Sequence, residues 1–194
     1  MQRICVFTGS SMGLRPEYQQ AARDLGQALV ARGLGLVYGG AISGLMGVIA
    51  DTVLASGGEV IGVIPRAFTR YEIAHQHLTK LYEVESMHER KALMADLSDG
   101  FIALPGGLGT FEELFEITTW AKLGFHTKPV GLLNVAGYFE PLLALVKHAA
   151  AEGFIPPIDV HLLLNKEQPV DLLDTFATYT PLPIQSGLER LPER

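Results

Sequence analysis

The stretch of sequence that decides the fold is Gly100-Phe-Ile-Ala-Leu-Pro-Gly-Gly-Leu-Gly-Thr-Phe-Glu-Glu113. Its first five residues are short and apolar, as expected of a strand that is buried on both faces of a parallel sheet. The glycines that follow allow a tight turn and let a ligand approach the main chain closely. Thr110 can cap a helix over 110–123, and the free amides at such a helix start favour phosphate. The stretch therefore predicts a strand, a glycine turn and a helix that together bind an anion.

The same alternation of strand, loop and helix extends over most of the chain. Apolar patterns predict strands over residues 3–8, 34–38, 59–64, 78–84, 100–104 and 128–133, and a short strand or buried segment over 160–164. Helices are predicted to begin near residues 16, 45, 87, 110, 138 and 170. This alternation predicts an α/β fold, a doubly wound, Rossmann-like parallel sheet with helices on both faces, whose ligands bind beyond the carboxyl ends of the strands.

The order of these elements also predicts the domain organisation. We expect one Rossmann-like domain over 1–180 and a solvated tail over 181–194. Residues 66–77 show no hydrophobic period, so we expect them to form a loop that can cover the site.

The bulk composition argues against several classes of protein. A net charge of −6 and a pI near 5.5 argue against nucleic-acid binding, which usually brings a basic surface. The single cysteine, Cys5, lies in the first predicted strand, where we expect it to be a core residue. Because one cysteine cannot form an internal disulfide, a reducing cytoplasm is the natural compartment. Without a leader after Met1 or an apolar run near 18 residues, we expect no membrane segment.

Glycine-containing turns follow three of the predicted strands. Two of them are Gly9-Ser-Ser11 and Gly39-Gly-Ala-Ile-Ser-Gly44, and the third is the turn that begins at Pro105. The G-x-G-x-x-G spacing and the G-K-[ST] ending are both missing, which weakens NAD and ATP binding, and we expect no cofactor. Close packing of a helix on the sheet is the alternative interpretation of these glycines, and capping is the alternative for the serines.

A second charged element, Met87-His-Glu-Arg-Lys91, begins the helix that leads into the central strand. Cations at a helix start oppose the helix dipole, so Arg90 and Lys91 favour an anionic partner, although a solvated charged face is the alternative. Two acids in the first turn of a helix suit the helix dipole by themselves, so capping is the alternative to a role of Glu112 and Glu113 in the site. The histidines have no metal-ligand spacing and no nucleophile elbow is present, so we predict neither a metal nor acyl transfer.

These residues resemble a known family. Pro105-Gly-Gly-Leu-Gly-Thr-Phe-Glu-Glu113 matches the PGGxGTxxE motif of the Lonely Guy family, the cytokinin riboside 5'-monophosphate phosphoribohydrolases, and Met87-His-Glu-Arg-Lys91 resembles the MHxRK segment of that family. The resemblance runs over most of the chain and fades after about Pro156. Ala41 departs from the third consecutive glycine of the family, and the match of residues 66–77 rests mainly on Glu72.

The resemblance implies an activity, a substrate and a set of site residues. The activity is hydrolysis of the bond between base and ribose in an N6-substituted AMP, which releases free base and ribose 5-phosphate. Glu113 and Arg90 are then the catalytic residues, because a carboxylate near the anomeric carbon stabilises an oxocarbenium ion or orients water. The residues expected to bind the nucleotide monophosphate are Gly9, Ser10, Gly40, Glu72, Met87, Arg90, Lys91, Pro105, Gly106, Gly107, Leu108, Gly109, Thr110, Glu112 and Thr119.

The resemblance further implies a homodimer, with the helix over 110–123 and its Trp120 as a contact surface. Core packing is the alternative interpretation of Trp120.

Three other functions stay open at this point. A general purine nucleotide nucleosidase acting on AMP would use the same chemistry. A nucleotide or cofactor carrier would use the same glycine turns, but it has little use for a carboxylate beside an anionic ligand. A lysine decarboxylase, a label given to relatives, would need a pyridoxal-binding lysine, and the setting of Lys91 does not suggest one.

Overall fold

The structure is a computed structural model that describes residues 1–69 and 74–183. Its strands are β1 (Arg3–Phe7), β2 (Gly35–Tyr38), β3 (Val60–Pro65), β4 (Lys80–Val84), β5 (Gly100–Ala103), β6 (Val130–Leu133) and β7 (Leu163–Lys166). Within the described residues they form one sheet in the order β4-β3-β2-β1-β5-β6-β7, and all neighbours are parallel. The doubly wound α/β fold expected from the sequence is therefore confirmed.

Helices cover both faces of this sheet. They are α1 (Pro16–Ala31), α2 (Gly44–Ala55), α3 (Arg66–Thr69), α4 (Met87–Asp96), α5 (Leu108–Lys122), α6 (Glu140–Ala151) and α7 (Pro169–Ala177), with 3₁₀ turns over Val135–Gly137 and Pro157–Leu162. Apolar residues of α1, α2 and α7 join the core on one face, and those of α4, α5 and α6 join it on the other. Of the helices described, none combines the length and the apolar character that crossing a bilayer requires.

Alternation along the central strands feeds both cores. In β1, Ile4 and Val6 pack with the α1 side, whereas Cys5 and Phe7 pack with the α5 side. This pattern is typical of a strand buried on both faces. Cys5 has no exposed surface, so the expectation that it is a core residue is confirmed.

The order of the strands reverses between β1 and β5, because β1 continues to β2 on one side and β5 to β6 on the other. In open α/β sheets such a reversal leaves a crevice at the carboxyl ends of the two strands. Here the turns that follow β1 and β5 touch, since the Gly9 amide and the Thr8 hydroxyl both donate to the Pro105 carbonyl, each at 3.2 Å. The first and third glycine turns therefore meet at the switch point.

The structure corrects three local expectations. The segment 66–77 is not a loop throughout, because Arg66–Thr69 forms a helical turn and Ala74 forms an antiparallel bridge with Ala41. Glu72 lies outside the described residues. The segment 160–164 is not one strand, since a 3₁₀ turn extends to Leu162 and β7 begins at the next residue.

The third correction concerns the start of α5. This helix begins at Leu108 rather than at Thr110, and Gly107 is its extended N-cap residue. The Gly107 carbonyl accepts the first helical hydrogen bond from the Phe111 amide at 3.1 Å. Thr110 therefore lies inside the first turn and does not cap the helix, which frees its hydroxyl for another role.

A glycine near the start of α2 sets how closely that helix approaches the turn after β2. A Cβ atom added to Gly47 would lie 2.0 Å from the Ile42 carbonyl oxygen, which is far closer than atoms can pack. At Gly109, near the start of α5, an added Cβ would meet no heavy atom within 4 Å.

We expect Gly47→Ala to lower the free energy of unfolding by about 3 kcal/mol, because backbone must move to admit the methyl group. Gly109→Ala is the matched control, and it should raise stability by about 0.5–1 kcal/mol through the lower entropy of the unfolded chain. Urea titration of both variants measures the difference. Equal effects of the two substitutions would contradict the proposed packing of α2.

Candidate active site

A buried ion pair joins the starts of α4 and α5. Ser86 caps α4 by accepting a hydrogen bond from the Glu89 amide at 3.1 Å, so this helix begins where the sequence predicts. Arg90 follows within the first turns, and its Nη1 donates to Glu113 Oε1 at 2.6 Å. Arg90 is 9% exposed and Glu113 is 8% exposed. The anionic partner that the sequence predicts for Arg90 is, within the described residues, Glu113 itself.

The other contacts of Arg90 fix its guanidinium group in place. Its Nε donates to the Val63 carbonyl oxygen of β3 at 3.1 Å. A Cβ atom added to Gly39 would lie 2.2 Å from Arg90 Nη2, so only glycine leaves room for the guanidinium there. The sequence analysis singled out Gly40 for the site and missed Gly39. The two consecutive glycines after β2 indicate a close approach to the backbone, but the sequence does not reveal that the Arg90 side chain occupies the space beside Gly39.

Burial and the ion pair act in opposite directions on Glu113. Burial raises the pKa of its carboxyl group above the ordinary value, although the charge of Arg90 acts to lower it. The folded protein therefore binds this proton more strongly than the unfolded chain does. The stability contributed by Glu113 accordingly falls as the pH rises from the ordinary pKa through the raised one.

Lys91 forms a second and more exposed charge cluster. Its Nζ lies 2.5 Å from Glu112 Oε1 and 2.9 Å from Glu116 Oε2. Burial of Lys91 acts to lower its pKa, but the hydrogen bonds to both carboxylates outweigh burial and raise it. The sequence analysis missed Glu116, although its position four residues after Glu112 puts both acids on one face of α5.

The start of α5 has the features of an anion site. As in any α-helix, its first amides have no partner within the helix, and within the described chain no side chain caps it. Thr110 is 2% exposed, and its hydroxyl has no hydrogen-bond partner among the described residues. This hydroxyl lies against the glycine turn, because a Cβ atom added to Gly106 would be 2.1 Å from it. A buried polar atom without a partner is uncommon and indicates a place for a ligand.

The three glycine turns converge beside this helix start. A cavity of about 280 Å³ lies between the first and third turns. Gly44, where the second turn leads into α2, packs closely against the first turn, because a Cβ atom added to it would lie only 2.2 Å from the Ser10 carbonyl carbon. Gly44 also has a positive φ of 59°. The predicted site residues that line the cavity are Gly9, Ser10, Pro105, Gly106 and Gly107.

The second turn is held by a histidine that the sequence analysis did not select. The Gly40 carbonyl accepts a hydrogen bond from the His75 amide at 2.9 Å. The His75 ring is buried, with Nε2 2.9 Å from Asp51 Oδ1 and Nδ1 accepting from the His77 amide at 3.2 Å. The contacts of His75 with Asp51 and Gly40 span 24 residues or more, so no local pattern in the sequence signals them.

Several predicted site residues are not part of the lining of this cavity, among them Arg90, Lys91, Thr110, Glu112, Glu113 and Thr119. Thr119 is exposed on α5, where its hydroxyl donates to the Phe115 carbonyl at 2.7 Å. It lies about 9 Å along the helix from Glu113, from a rise of ~1.5 Å per residue. Met87 and Leu108 occupy the first positions of their helices and are 43% and 86% exposed. The roles of these residues in binding stay predictions.

Comparisons with known proteins show which family this chain belongs to. A family model described as "Possible lysine decarboxylase" matches residues 46–176. The chain is 51% identical over 181 residues to the probable cytokinin riboside 5'-monophosphate phosphoribohydrolase LOGL9 of Oryza sativa subsp. japonica, which covers 93% of this chain and 80% of that protein. It is 49% identical over 180 residues to the cytokinin riboside 5'-monophosphate phosphoribohydrolase LOG1 of Arabidopsis thaliana, with coverage of 93% and 84%.

The chain belongs to the Lonely Guy (LOG) family. The resemblance drawn from the two motifs is therefore confirmed. Among solved structures, TM1055 superposes with a TM-score of 0.70 at 18% identity, and the match covers 92% of this LOG-family chain and 100% of the TM1055 chain. The Moco carrier protein from Chlamydomonas reinhardtii superposes with a TM-score of 0.69 at 20% identity, covering 91% of this chain and 96% of its own. These two likenesses concern the fold alone.

We expect Arg90→Met to lower the free energy of unfolding at pH 7 by about 3 kcal/mol, because it leaves Glu113 buried without its counter-ion. The loss should shrink as the pH falls toward 5, since the folded state can then protonate Glu113. Urea titrations at the two pH values measure both effects. The double variant Arg90→Met, Glu113→Gln, which leaves no buried charge, is the control and should recover most of the stability. The same loss at both pH values would contradict a charge effect.

Proposed function

We propose that this protein hydrolyses the N-glycosidic bond of cytokinin riboside 5'-monophosphates and releases the free cytokinin base and ribose 5-phosphate. The observation that carries the proposal is the buried Arg90–Glu113 pair near the start of α5, a helix start that no side chain of the described residues caps. It combines a carboxylate for the sugar with a site for the phosphate. The names of the relatives that are about half identical in sequence support the same substrate class.

The phosphate, in this proposal, lies at the start of α5. The amides of Leu108 and Gly109 then donate to its oxygens, together with the hydroxyl of Thr110, which has no hydrogen-bond partner among the described residues. Gly9 and Ser10 form the opposite wall. Glu113 comes one helical turn after Thr110, so a ribose that extends from the phosphate along the helix reaches its carboxylate.

The reaction in this proposal breaks the bond between the anomeric carbon and the base nitrogen, whose electron pair leaves with the base. The oxygen of a water molecule bonds to the anomeric carbon, and the proton that this water loses ends on the released base. Arg90 binds Glu113 Oε1, and the proposal assigns to Oε2 the role of stabilising positive charge on the sugar and orienting the water. The raised pKa of Glu113 suits a group that accepts a proton from water near neutral pH.

The setting of Lys91 argues against the decarboxylase description of the family model. A lysine that forms a Schiff base needs a free amine, which usually comes from a lowered pKa. Lys91 is held between Glu112 and Glu116, and these contacts raise its pKa. In the proposed reaction Lys91 and Glu112 instead help to position the nucleotide.

Two alternatives would share most of this site. A nucleosidase that acts on AMP differs only in the space offered to the N6 substituent, and one extra apolar group changes selectivity by about 1–3 kcal/mol. A nucleotide carrier would bind the phosphate without cleavage. The buried carboxylate beside the proposed anion site favours hydrolysis over the carrier, because a protein that only binds an anion has little use for a carboxylate next to it.

The test incubates the protein separately with N6-isopentenyladenosine 5'-monophosphate and with AMP, and measures free base and ribose 5-phosphate. We expect both products, with the isopentenyl substrate cleaved faster. Glu113→Gln should lower kcat by 100-fold or more, on the order of the loss of one preorganised charged group. Glu152→Gln, at the exposed end of α6, is the control and should change nothing.

Each other outcome of this test has a distinct meaning. Faster release from AMP would favour the general nucleosidase. Binding of both nucleotides without release would favour the carrier. Near-normal turnover by Glu113→Gln, with an unchanged circular dichroism spectrum, would remove Glu113 from the mechanism.

We also propose a cytoplasmic homodimer on the basis of the family resemblance. Trp120 is partly buried against the core, which supports its packing role. On α5, Phe115 is 40% exposed, so it and the exposed Thr119 are the better candidates for the contact surface. Gel filtration should give a dimer, and Phe115→Lys should convert it to a monomer. A monomer for the unmodified protein at working concentration would remove this proposal.

A further inference from the structure

A tyrosine far from both family motifs contacts the glycine turn. The hydroxyl of Tyr138 donates to the carbonyl oxygen of Gly106. Because a carbonyl can only accept, the single phenolic proton is used in this bond and cannot also reach a ligand. Tyr138 therefore acts on the turn itself.

The chain around Tyr138 is held firmly in place. Asn134 follows β6, and its side-chain Oδ1 accepts a hydrogen bond from the Phe139 amide at 2.7 Å. The backbone amide of Asn134 donates to the Lys166 carbonyl at 2.8 Å. The residues between take a tight 3₁₀ turn with Ala136 at a positive φ of 51°. Such a conformation is uncommon for alanine and persists only where surrounding contacts enforce it.

The ring of Tyr138 is also fixed on two sides. It packs edge to face against Tyr18 of α1 with centroids 5.7 Å apart, and against Phe139 with centroids 5.1 Å apart. These distances lie in the favourable range for aromatic pairs. The hydroxyl therefore presents a fixed donor to Gly106, across 32 residues of sequence.

The carbonyl that Tyr138 binds belongs to a peptide unit between two glycines, Gly106 and Gly107. The planar, trans peptide directs its N–H and its C=O to opposite sides. Glycines on both sides restrict its rotation little, since glycine populates backbone angles closed to other residues. Without the hydrogen bond from Tyr138, the Gly106–Gly107 peptide could therefore flip and place its carbonyl oxygen, rather than its N–H group, toward a bound anion.

The neighbouring peptide of the turn is fixed in a similar way. The Pro105 carbonyl accepts hydrogen bonds from the Gly9 amide and the Thr8 hydroxyl. Both carbonyls at the head of the turn are thus held by donors from other loops. Tyr138 supplies the donor for the peptide that leads directly into the N-cap of α5.

We propose that Tyr138 is a positioning residue that locks the Gly106–Gly107 peptide with its amide toward the substrate phosphate. The inference rests on the proposed function to the extent that the turn binds a phosphate. It assigns to the connection after β6 a role in phosphate affinity, separate from the Arg90–Glu113 chemistry.

Tyr138→Phe is the test, because it removes the hydroxyl and keeps the ring. We expect KM for the nucleotide and the dissociation constant of ribose 5-phosphate to rise about tenfold, the effect of one hydrogen bond, with kcat changed much less. Inhibition by free N6-isopentenyladenine should stay the same, since the base makes no use of the turn. Tyr82→Phe in β4 removes a phenol elsewhere and is the control.

Calorimetric titration with ribose 5-phosphate keeps this test independent of turnover. An unchanged dissociation constant in Tyr138→Phe, or an equal weakening of phosphate and base, would overturn the positioning role. An unmodified protein that binds ribose 5-phosphate but hydrolyses nothing would overturn the hydrolase and leave this inference standing. An unmodified protein that binds no ribose 5-phosphate would overturn both.

Discussion

The buried ion pair between Arg90 and Glu113 is the constraint on which the rest of the site depends. Two charges withdrawn from water destabilise a fold unless each finds a close partner and its remaining hydrogen bonds. Arg90 meets this requirement by binding both Glu113 on α5 and the Val63 carbonyl on β3. The pair thus joins two helices to a strand end, and Gly39 must lack a side chain to admit it.

The close packing of the glycine turns also builds the proposed anion site. The sequence left open whether the glycine turns serve close packing or a phosphate. In the structure Gly44 packs against Ser10, and Gly106 packs against Thr110. These approaches bring three turns to one edge of the sheet and leave the Thr110 hydroxyl buried beside them without a described partner. Tight packing between the turns is what forms the walls of the cavity.

Two carboxylates that are adjacent in sequence experience different environments. Glu113 is buried against Arg90 and its pKa is raised by burial, whereas Glu112 has a side chain that is 53% exposed and contacts Lys91. Successive residues of a helix point about 100° apart, since the helix has 3.6 residues per turn. One of the pair therefore faces the sheet edge and the other faces solvent. This difference separates a candidate for proton transfer from a residue that pairs with Lys91.

The sequence by itself determined the strands, the main helices, the doubly wound class and the turn that carries the family motif. These features depend on local periodicity, glycine placement and helix starts, which short stretches of chain encode. Only the tertiary structure decided that Arg90 pairs with Glu113, that Tyr138 binds the Gly106 carbonyl, and that Thr119 lies apart from the cavity. Such contacts depend on which strands become neighbours and how helices pack on them, and no local pattern records that order.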